Sequence, residues 1–366
     1  MENGRAASAV LVTGVSGAVG ARVAERLLRH PLCARVVGID VVPPPVVDPR
    51  LDARLLDLAD PRAKEAGGSL AEALGEVSAV LHLAWTVAAS RGVEDTVARA
   101  NHRALQAALG AAAKTGARSF VYLSSATVYG AWPDNKIPLT EDARLRPNPG
   151  FSFAVAKAEG ERMVAEWAAA RPEVAVAVLR PCVVVGAGDK PLYDALGVVR
   201  VPGSGDPARP VQYLHVDDLA DAVVLAWEKR LSGVYNVAPD AGIPEEQARA
   251  LAGGVARVHL PERLSATVSA AGWRLLRRGV PAEARQYATH PWVVAPDRLI
   301  AEGWSPRFSS EEALVATDRR LHWDDLPPGT RQNYNLIVAA AALALVSAGV
   351  LEVVRRLRRR RHPALR

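Results

Sequence analysis

The stretch SAVLVTGVSGAVGARVAERLLRH (residues 8–30) joins an apolar run, a glycine-rich turn and an amphipathic segment. The apolar run does not alternate with polar residues, which is typical of a strand buried on both faces of a parallel sheet. Gly14, Gly17 and Gly20 allow a tight turn and a close approach of the backbone to a pyrophosphate at the N-terminus of the next helix. This order of strand, glycine turn and helix predicts a dinucleotide-binding unit.

Further apolar runs alternate with helical stretches along the first half of the chain. The runs read ARVVGID, ARLLDL, SAVLHLAW, RSFVYLSS and VAVAVLRP. Such alternation predicts an α/β fold of the Rossmann type, with a doubly wound parallel sheet. We expect residues 8–185 to form the NAD-binding domain, completed by residues 211–238. Residues 186–330 are expected to form mainly a small C-terminal substrate lobe, and residues 1–7 a disordered N-terminus.

Composition and charge exclude several classes of protein. Hydrophobic residues make up 49% of the 366 residues, which is enough for a core and excludes wholesale disorder. The two cysteines, Cys33 and Cys182, suggest neither a disulfide scaffold nor a metal site. The start MENGRAAS lacks the pattern of a secretory signal, which with the cysteine count favours a reducing cytoplasm.

The net charge of +6 comes from the C-terminal tail, since residues 355–366 hold seven arginines and no acidic residue. The rest of the chain has 38 basic and 39 acidic residues and is therefore nearly neutral. Nucleic-acid binding by the main body gains no support, because it requires a basic face on the domain itself.

The segment LIVAAAALALVSAGVLEVV (residues 336–354) carries a single charge, Glu352. As a helix it would span roughly 28 Å, close to the thickness of a hydrocarbon core. We therefore expect a hydrophobic C-terminal helix at residues 335–354 that anchors the protein at the cytoplasmic side of the cell membrane, followed by an arginine-rich tail. The helix either spans the bilayer or lies in the cytoplasmic leaflet with the arginines on anionic headgroups. A helix buried against a partner is the alternative.

Asp40 ends the second predicted strand, in VVGID. A carboxylate there accepts hydrogen bonds from ribose hydroxyls and repels a 2′-phosphate, which favours NAD over NADP. The alternative is an ordinary cap or turn residue. Asp57 and Leu58 follow the third strand, where an adenine amino group could be met.

Ser124 and Ser125 end the fifth strand, in VYLSSATVYG. Ligands of open α/β sheets bind at the carboxyl ends of the strands, although serines at such ends are often turn formers. Lys157 follows on the next helix, and lysine is scarce, with six of the 45 basic residues. Ser125 is therefore a candidate for holding a substrate hydroxyl or carbonyl.

The blocks TGVSGAVG, GID, LLDLAD, VLHLAW, VYLSSATVYG, LRPCVVVGAGD, YLHVDDLADAVVLA and GVYNVAP occur in an order that resembles the extended short-chain dehydrogenase/reductases. The resemblance is to the NAD-dependent epimerase/dehydratase group and covers roughly residues 8–320. It implies that the three glycines hold the pyrophosphate of NAD, Asp40 its ribose and Asp57 its adenine. It also places Asn101 near the cofactor and Lys157 on the nicotinamide ribose, and it implies a possible homodimer.

The resemblance puts Phe153 where the family has its catalytic tyrosine, one helical turn before Lys157. In the family mechanism that tyrosine transfers a proton while hydride moves to NAD, and phenylalanine cannot do this. Tyr129, Ser125 or a water could substitute. Trp85 also replaces a small residue, and Val211 stands where sugar-nucleotide epimerases carry a phosphate-pairing arginine, with Arg209 two positions away.

Three functions remain open at this point. The first is an oxidoreductase or epimerase that acts on a small-molecule substrate at an atypical site. The second is a catalytically degenerate, NAD-dependent binding or regulatory protein at the membrane. The third is a lipid- or sterol-type hydroxy-dehydrogenase, which resembles the 3β-hydroxysteroid dehydrogenase branch of the family.

Overall fold

The computed structural model describes residues 7–60, 76–87, 92–186, 206–239, 242–251 and 285–316. Seven of the strands in these residues form one parallel sheet: β1 Ser8–Thr13, β2 Cys33–Asp40, β3 Leu51–Leu55, β4 Ala79–His82, β5 Ser119–Leu123, β6 Ala175–Pro181 and β10 Gly233–Val237. Their order across the sheet is β10-β6-β5-β4-β1-β2-β3. The predicted α/β fold with a doubly wound parallel sheet is confirmed.

Eight helices lie in the described residues. They are α1 Ala18–Arg29, α2 Glu94–Lys114, α3 Ser152–Ala169, α4 Val216–Glu228, α5 Glu245–Leu251, α6 Arg285–Thr289, α7 Asp297–Ala301 and α8 Ser310–Ala316. Helices α1 and α4 pack together on one face of the sheet, and α2 and α3 pack together on the other. The central strands are therefore buried on both faces, which explains their unbroken apolar sequences.

Successive side chains of a central strand pack into two different hydrophobic cores, one on each face of the sheet. In β1, Val10 and Val12 pack with Leu27 of α1, whereas Leu11 packs on the other side with Leu105 of α2. This division follows from the two-residue period of a strand, whose successive side chains point to opposite faces. Helices cover both faces of the central strands, so we expect a ligand to bind at the ends of these strands rather than on a face.

The strand order reverses beside β1, whose neighbours are β2 and β4. In open α/β sheets the ligand crevice lies outside the carboxyl ends of the strands at such a point. The glycine turn follows β1 directly, and the loop after β4 begins at Leu83 beside it, where the backbone nitrogen of Leu83 bonds to the carbonyl of Thr13 at 3.2 Å. The fold therefore brings the glycine turn and the loop after β4 together at the carboxyl ends of the strands, where a ligand is expected.

Two pairs of short strands lie outside the main sheet. β7 Val183–Val185 pairs with β9 Tyr213–His215, and β8 Pro210–Val211 pairs with β11 Ile243–Pro244. Between β9 and β11 the chain returns to the main sheet, where β10 lies parallel to β6.

Among the described residues, no helix is both long and apolar enough to cross a bilayer. The predicted anchor at residues 335–354 and the tail at 355–366 lie outside the described residues. The hydrophobic C-terminal helix therefore stays a prediction.

Candidate functional site

The glycine turn has no room for side chains. Gly14 has a φ of +74°, and a β-carbon added there would lie 2.7 Å from the backbone nitrogen of Ala84. A β-carbon on Gly20 would lie 1.9 Å from the carbonyl oxygen of Gly14, and the Gly17 nitrogen donates to that same oxygen at 3.1 Å. The turn is thus a bare-backbone cradle at the start of α1, which fits the pyrophosphate of a dinucleotide.

The Asp40 carboxylate closes one side of this cradle. It accepts hydrogen bonds from the backbone nitrogens of Ser16 at 2.9 Å and Val41 at 2.7 Å. The side chain therefore does act as a turn residue, as the sequence left open, and it fixes the glycine turn against the end of β2. Its two oxygens have lone pairs left for ribose hydroxyls, and the assignment of Asp40 to the adenosine ribose stays a prediction.

We expect NAD to bind more tightly than NADP, because the Asp40 charge repels a 2′-phosphate. Asp40→Asn removes the charge but keeps an acceptor for the Ser16 nitrogen. It should therefore reduce the difference in affinity between NAD and NADP while preserving the glycine turn. Asp40→Ala should narrow it too and also loosen the turn. Calorimetric titration of each variant with both cofactors checks this, and equal affinities in the wild type would contradict it.

The two residues predicted near the adenine are placed differently. Asp57 is exposed, and its Oδ1 accepts a hydrogen bond from the Ala59 nitrogen at 2.8 Å. Leu58 is buried in the core beneath α2, so its side chain does not face a ligand. Only its main-chain atoms could meet an adenine amino group, and the place of both residues near the adenine stays a prediction.

Asn101 is buried on α2, and both ends of its amide bind one residue. Its Oδ1 accepts from the Thr86 nitrogen at 2.9 Å, and its Nδ2 donates to the Thr86 carbonyl at 2.8 Å. Asn101 therefore fastens the loop after β4 to α2. Its place near the cofactor is indirect, through the loop it holds.

Lys157 points from α3 toward the end of β5, and its Nζ donates to the Leu123 carbonyl at 2.6 Å. The residue is only 4% exposed, and its ammonium lies 3.8 Å from the centre of the Trp85 ring. Burial holds the pKa of Lys157 well below its usual value, and the nearby Glu161 carboxylate opposes this shift.

Phe153 is half-buried one turn before Lys157 and packs against Phe151, with ring centres 5.7 Å apart. Ser125 lies beyond β5, where its Oγ accepts from the Thr127 nitrogen at 3.2 Å and the Thr127 hydroxyl at 3.0 Å. Neither of these bonds uses the proton of Ser125. The arrangement leaves a serine donor just beyond the carboxyl end of β5, and Phe153 itself offers neither an acid nor a base.

Tyr129 is not placed to substitute for that tyrosine. It is fully buried, its hydroxyl donates to Oδ1 of Asn236 at 2.8 Å, and Nη1 of Arg180 donates to it at 2.7 Å. Burial raises the pKa of Tyr129 to about 12, although Arg180 opposes the shift. The hydroxyl is committed to a buried network, which corrects the suggestion from sequence.

That network centres on an ion pair that sequence reasoning missed. Nη2 of Arg180 donates to Oε2 of Glu161 at 2.6 Å, and the Ser124 hydroxyl donates to Oε1 of Glu161 at 2.5 Å. Both charged side chains are at least nine-tenths buried. Glu161 follows Lys157 by one helical turn, and Arg180 interrupts an apolar strand, so both features were visible in the sequence.

Tyr122 was also missed, although its ring centre lies 5.1 Å from the Lys157 ammonium. Its hydroxyl is buried without a hydrogen-bond partner and packs against Gly160 of α3, where an added β-carbon would lie 2.3 Å from it. Burial and then Glu161 raise its pKa well above the usual value. Because the hydroxyl is buried against Gly160, it is not placed to meet a ligand at the carboxyl end of β5.

The nearest candidate for a phosphate-pairing arginine is also occupied. Arg209 is buried, its Nη2 donates to Glu245 at 3.1 Å, and its Nη1 reaches the Tyr287 carbonyl at 3.5 Å. Val211 lines a small apolar cleft together with Val183 and Trp292. Arg209 thus serves an internal ion pair.

The sequence profile of the NAD dependent epimerase/dehydratase family matches residues 10–238, from β1 through β10. The uncharacterized protein Rv0501 of Mycobacterium tuberculosis is 27% identical over 319 residues, which cover 83% of this chain and 82% of that protein. The uncharacterized protein y4nG of Sinorhizobium fredii is 31% identical over 239 residues, which cover 64% of this chain and 57% of that protein. This chain therefore spans little more than half of y4nG.

Solved structures share the fold. The UDP-glucose 4-epimerase of Thermus thermophilus in complex with NAD has a TM-score of 0.63 and 24% identity, covering 84% of this chain and 97% of that one. The enzyme WbmG of Bordetella bronchiseptica in complex with NAD has a TM-score of 0.61 and 18% identity, covering 87% and 94% respectively. At these identities the likeness establishes the fold.

Proposed function

The chain belongs to the NAD-dependent epimerase/dehydratase family, as its resemblance predicted, with NAD as its cofactor; on that premise we propose that it binds NAD without the family's tyrosine-dependent turnover. One observation carries the proposal. By the resemblance, Phe153 stands at the position of the proton-transferring hydroxyl, and the lysine that would assist it is buried beneath Trp85 and bonded to the Leu123 carbonyl. Loss of a general acid or base costs about 10² to 10⁴ in rate.

The chain's own residues divide the task of holding the cofactor. The glycine turn offers bare backbone to the pyrophosphate, and Asp40 offers carboxylate oxygens to the adenosine ribose. When bound, NAD supplies a hydride acceptor. On the nicotinamide side, Ser125 is a hydrogen-bond donor for a substrate oxygen, and Lys157 is the cation.

A second candidate is an oxidoreductase or epimerase with an atypical active site. It is favoured by Ser125, whose hydroxyl accepts two hydrogen bonds from Thr127 while its own proton stays available. Ser125 would then orient a substrate oxygen, and a water would carry the proton. A diphosphate-bearing substrate fits less well, since Val211 is apolar and Arg209 is paired internally. An alcohol without a diphosphate, such as a lipid- or sterol-type alcohol, would need no arginine at this position.

Phe153→Tyr tests the proposal, because it restores a hydroxyl one turn before Lys157. Wild type and variant are mixed with NAD and a panel containing UDP-glucose, simple secondary alcohols and a 3β-hydroxysteroid. NADH formation is followed for the alcohols and the steroid, and conversion to the 4-epimer is followed for UDP-glucose, because an epimerisation returns the hydride and accumulates no NADH. The wild type should be inactive or slow, and the variant at least about 10²-fold faster on any substrate that both accept. Adding Lys157→Met to the variant should remove the gain. A wild-type turnover near the common enzymatic value of about 10 per second would contradict the proposal.

We further propose that residues 335–366 hold the protein at the cytoplasmic side of the cell membrane. The support is the sequence, with an apolar segment long enough for a bilayer and seven arginines after it. The full chain should leave membranes in detergent but not in salt, whereas a chain ending at Thr330 should not sediment with them. Membrane association of the shortened chain would refute the proposal.

A further inference from the structure

The indole of Trp85 covers the Lys157 ammonium. The Nζ atom lies 3.8 Å from the centre of the Trp85 ring and 5.1 Å from that of Tyr122. The cation is therefore flanked by two aromatic rings, and its described hydrogen bond goes to the carbonyl of Leu123. An ammonium has three donors, so the ring faces take the place of further oxygen acceptors.

The Trp85 ring is held in this position from two sides. Its neighbour Thr86 is fixed by both ends of the Asn101 amide. The ring itself meets the His102 ring edge-on at 6.1 Å, and the Nε2 atom of His102 bonds to the Ala156 carbonyl at 2.9 Å. Trp85 is thus clamped between α2, α3 and the end of β5, unlike a freely rotating surface ring.

This geometry has a consequence for the sheet edge. Lys157 is almost fully buried in the structure, so a ligand lying across the carboxyl ends of the strands does not meet its ammonium while the indole is in place. The glycine turn and Asp40 contact neither Trp85 nor Lys157 through any described bond. We therefore expect removal of the indole to affect binding of the nicotinamide end of a dinucleotide and to leave the adenosine end unchanged.

We infer that Trp85 is a positioning residue: its indole holds the Lys157 ammonium against β5 and screens it, so that the nicotinamide half of NAD reaches this lysine only when the indole moves aside. The inference rests on the proposed NAD binding and deepens it. It divides the cofactor site into an open adenosine half and a covered nicotinamide half. It assigns to Asn101 the part of fixing the cover through Thr86.

Amine labelling of the full chain tests the cover. The chain has six lysines, and Lys114 and Lys136 are exposed references on the same molecule. With an amine-reactive ester and peptide mass spectrometry, Lys157 should react at least about tenfold more slowly than the references in the wild type. Trp85→Ala should bring its rate close to theirs, and Trp85→Phe, which keeps an aromatic face, should retain most of the protection. Equal labelling of Lys157 in the wild type and in Trp85→Ala would overturn the inference.

The affinities for NAD and for ADP, which lacks the nicotinamide half, distinguish a cover over Lys157 from a purely structural role of Trp85. A purely structural role would not change the NAD affinity selectively. Trp85→Ala should tighten NAD by about 5- to 30-fold, the range of a cation–π contact as it becomes desolvated, and leave ADP unchanged. Trp167→Ala is the matched control, because Trp167 stacks with Arg171 at the far end of α3 and should change neither affinity. If Trp85→Ala bound NAD as the wild type does, or more weakly, while its ADP affinity stayed unchanged, the inference that Trp85 screens Lys157 would be refuted. If the wild type binds neither ligand, the proposed function itself fails.

Discussion

Gly20→Ala is expected to abolish NAD binding by the full chain. The new β-carbon would lie 1.9 Å from the Gly14 carbonyl oxygen and 2.9 Å from the Cα atom of Val15, both of them backbone atoms that cannot swing away. Either α1 shifts or the glycine turn unwinds, and in both cases the cradle for the pyrophosphate is lost. We expect at least about 10²-fold weaker binding in calorimetric titration, because the phosphate contacts are backbone contacts.

Gly110→Ala is the matched control, a glycine-to-alanine change inside another helix of the same sheet. Nothing lies within 4 Å of a β-carbon at Gly110, so the chain should keep its NAD affinity. Its stability should rise by up to about 1 kcal/mol, because alanine favours a helix over glycine. If Gly20→Ala folds and binds NAD as tightly as Gly110→Ala does, the glycine turn is not the phosphate site.

Glu161→Gln is expected to destabilise the fold by about 3–5 kcal/mol, the cost of leaving a buried charge without its partner. The Arg180 guanidinium would remain at the end of β6, where Glu161 now accepts its bonds at 2.6 to 3.2 Å. The carboxylate oxygen that holds the Ser124 hydroxyl would change as well. Urea denaturation followed by circular dichroism measures the loss as a lower midpoint with an unchanged slope.

Glu166→Gln on the same helix provides the comparison. Glu166 pairs with Arg162 at the surface, where water screens the charges and the pair contributes little. The unfolding midpoint should therefore stay at the wild-type value. Similar decreases in the unfolding midpoint from both substitutions would show that the buried Glu161–Arg180 ion pair stabilises the fold no more than the surface pair does.

The fold could be predicted from sequence because its signals are local. The apolar runs give the central strands, and the glycine spacing marks the turn after β1. The run ARLLDL indicated the third strand, but the strand is Leu51–Leu55 and does not coincide with that run. This strand is at the sheet edge and half-exposed, so it lacks the continuous apolar pattern that identifies the buried strands.

The site could be predicted only where side-chain direction follows from the helix period. Phe153 and Lys157 share a face because they are one turn apart, and Glu161 continues that face. Tyr129 was misjudged, because whether such a residue faces a ligand or the core depends on tertiary packing. The contact between Trp85 and Lys157 joins a loop and a helix that are distant in sequence, so the spacing of residues along the chain does not predict it.

The central claim is that the chain holds one NAD at the glycine turn and does not turn it over at an ordinary enzymatic rate. Native mass spectrometry of the purified full chain, before and after addition of NAD and the alcohol panel, tests it most directly. We predict one dinucleotide per chain in the wild type, none in Gly20→Ala, and a bound cofactor that stays oxidised over the time in which Phe153→Tyr converts it to NADH. A wild-type chain that takes up no dinucleotide in excess NAD, or that reduces it as fast as Phe153→Tyr does, would contradict the account.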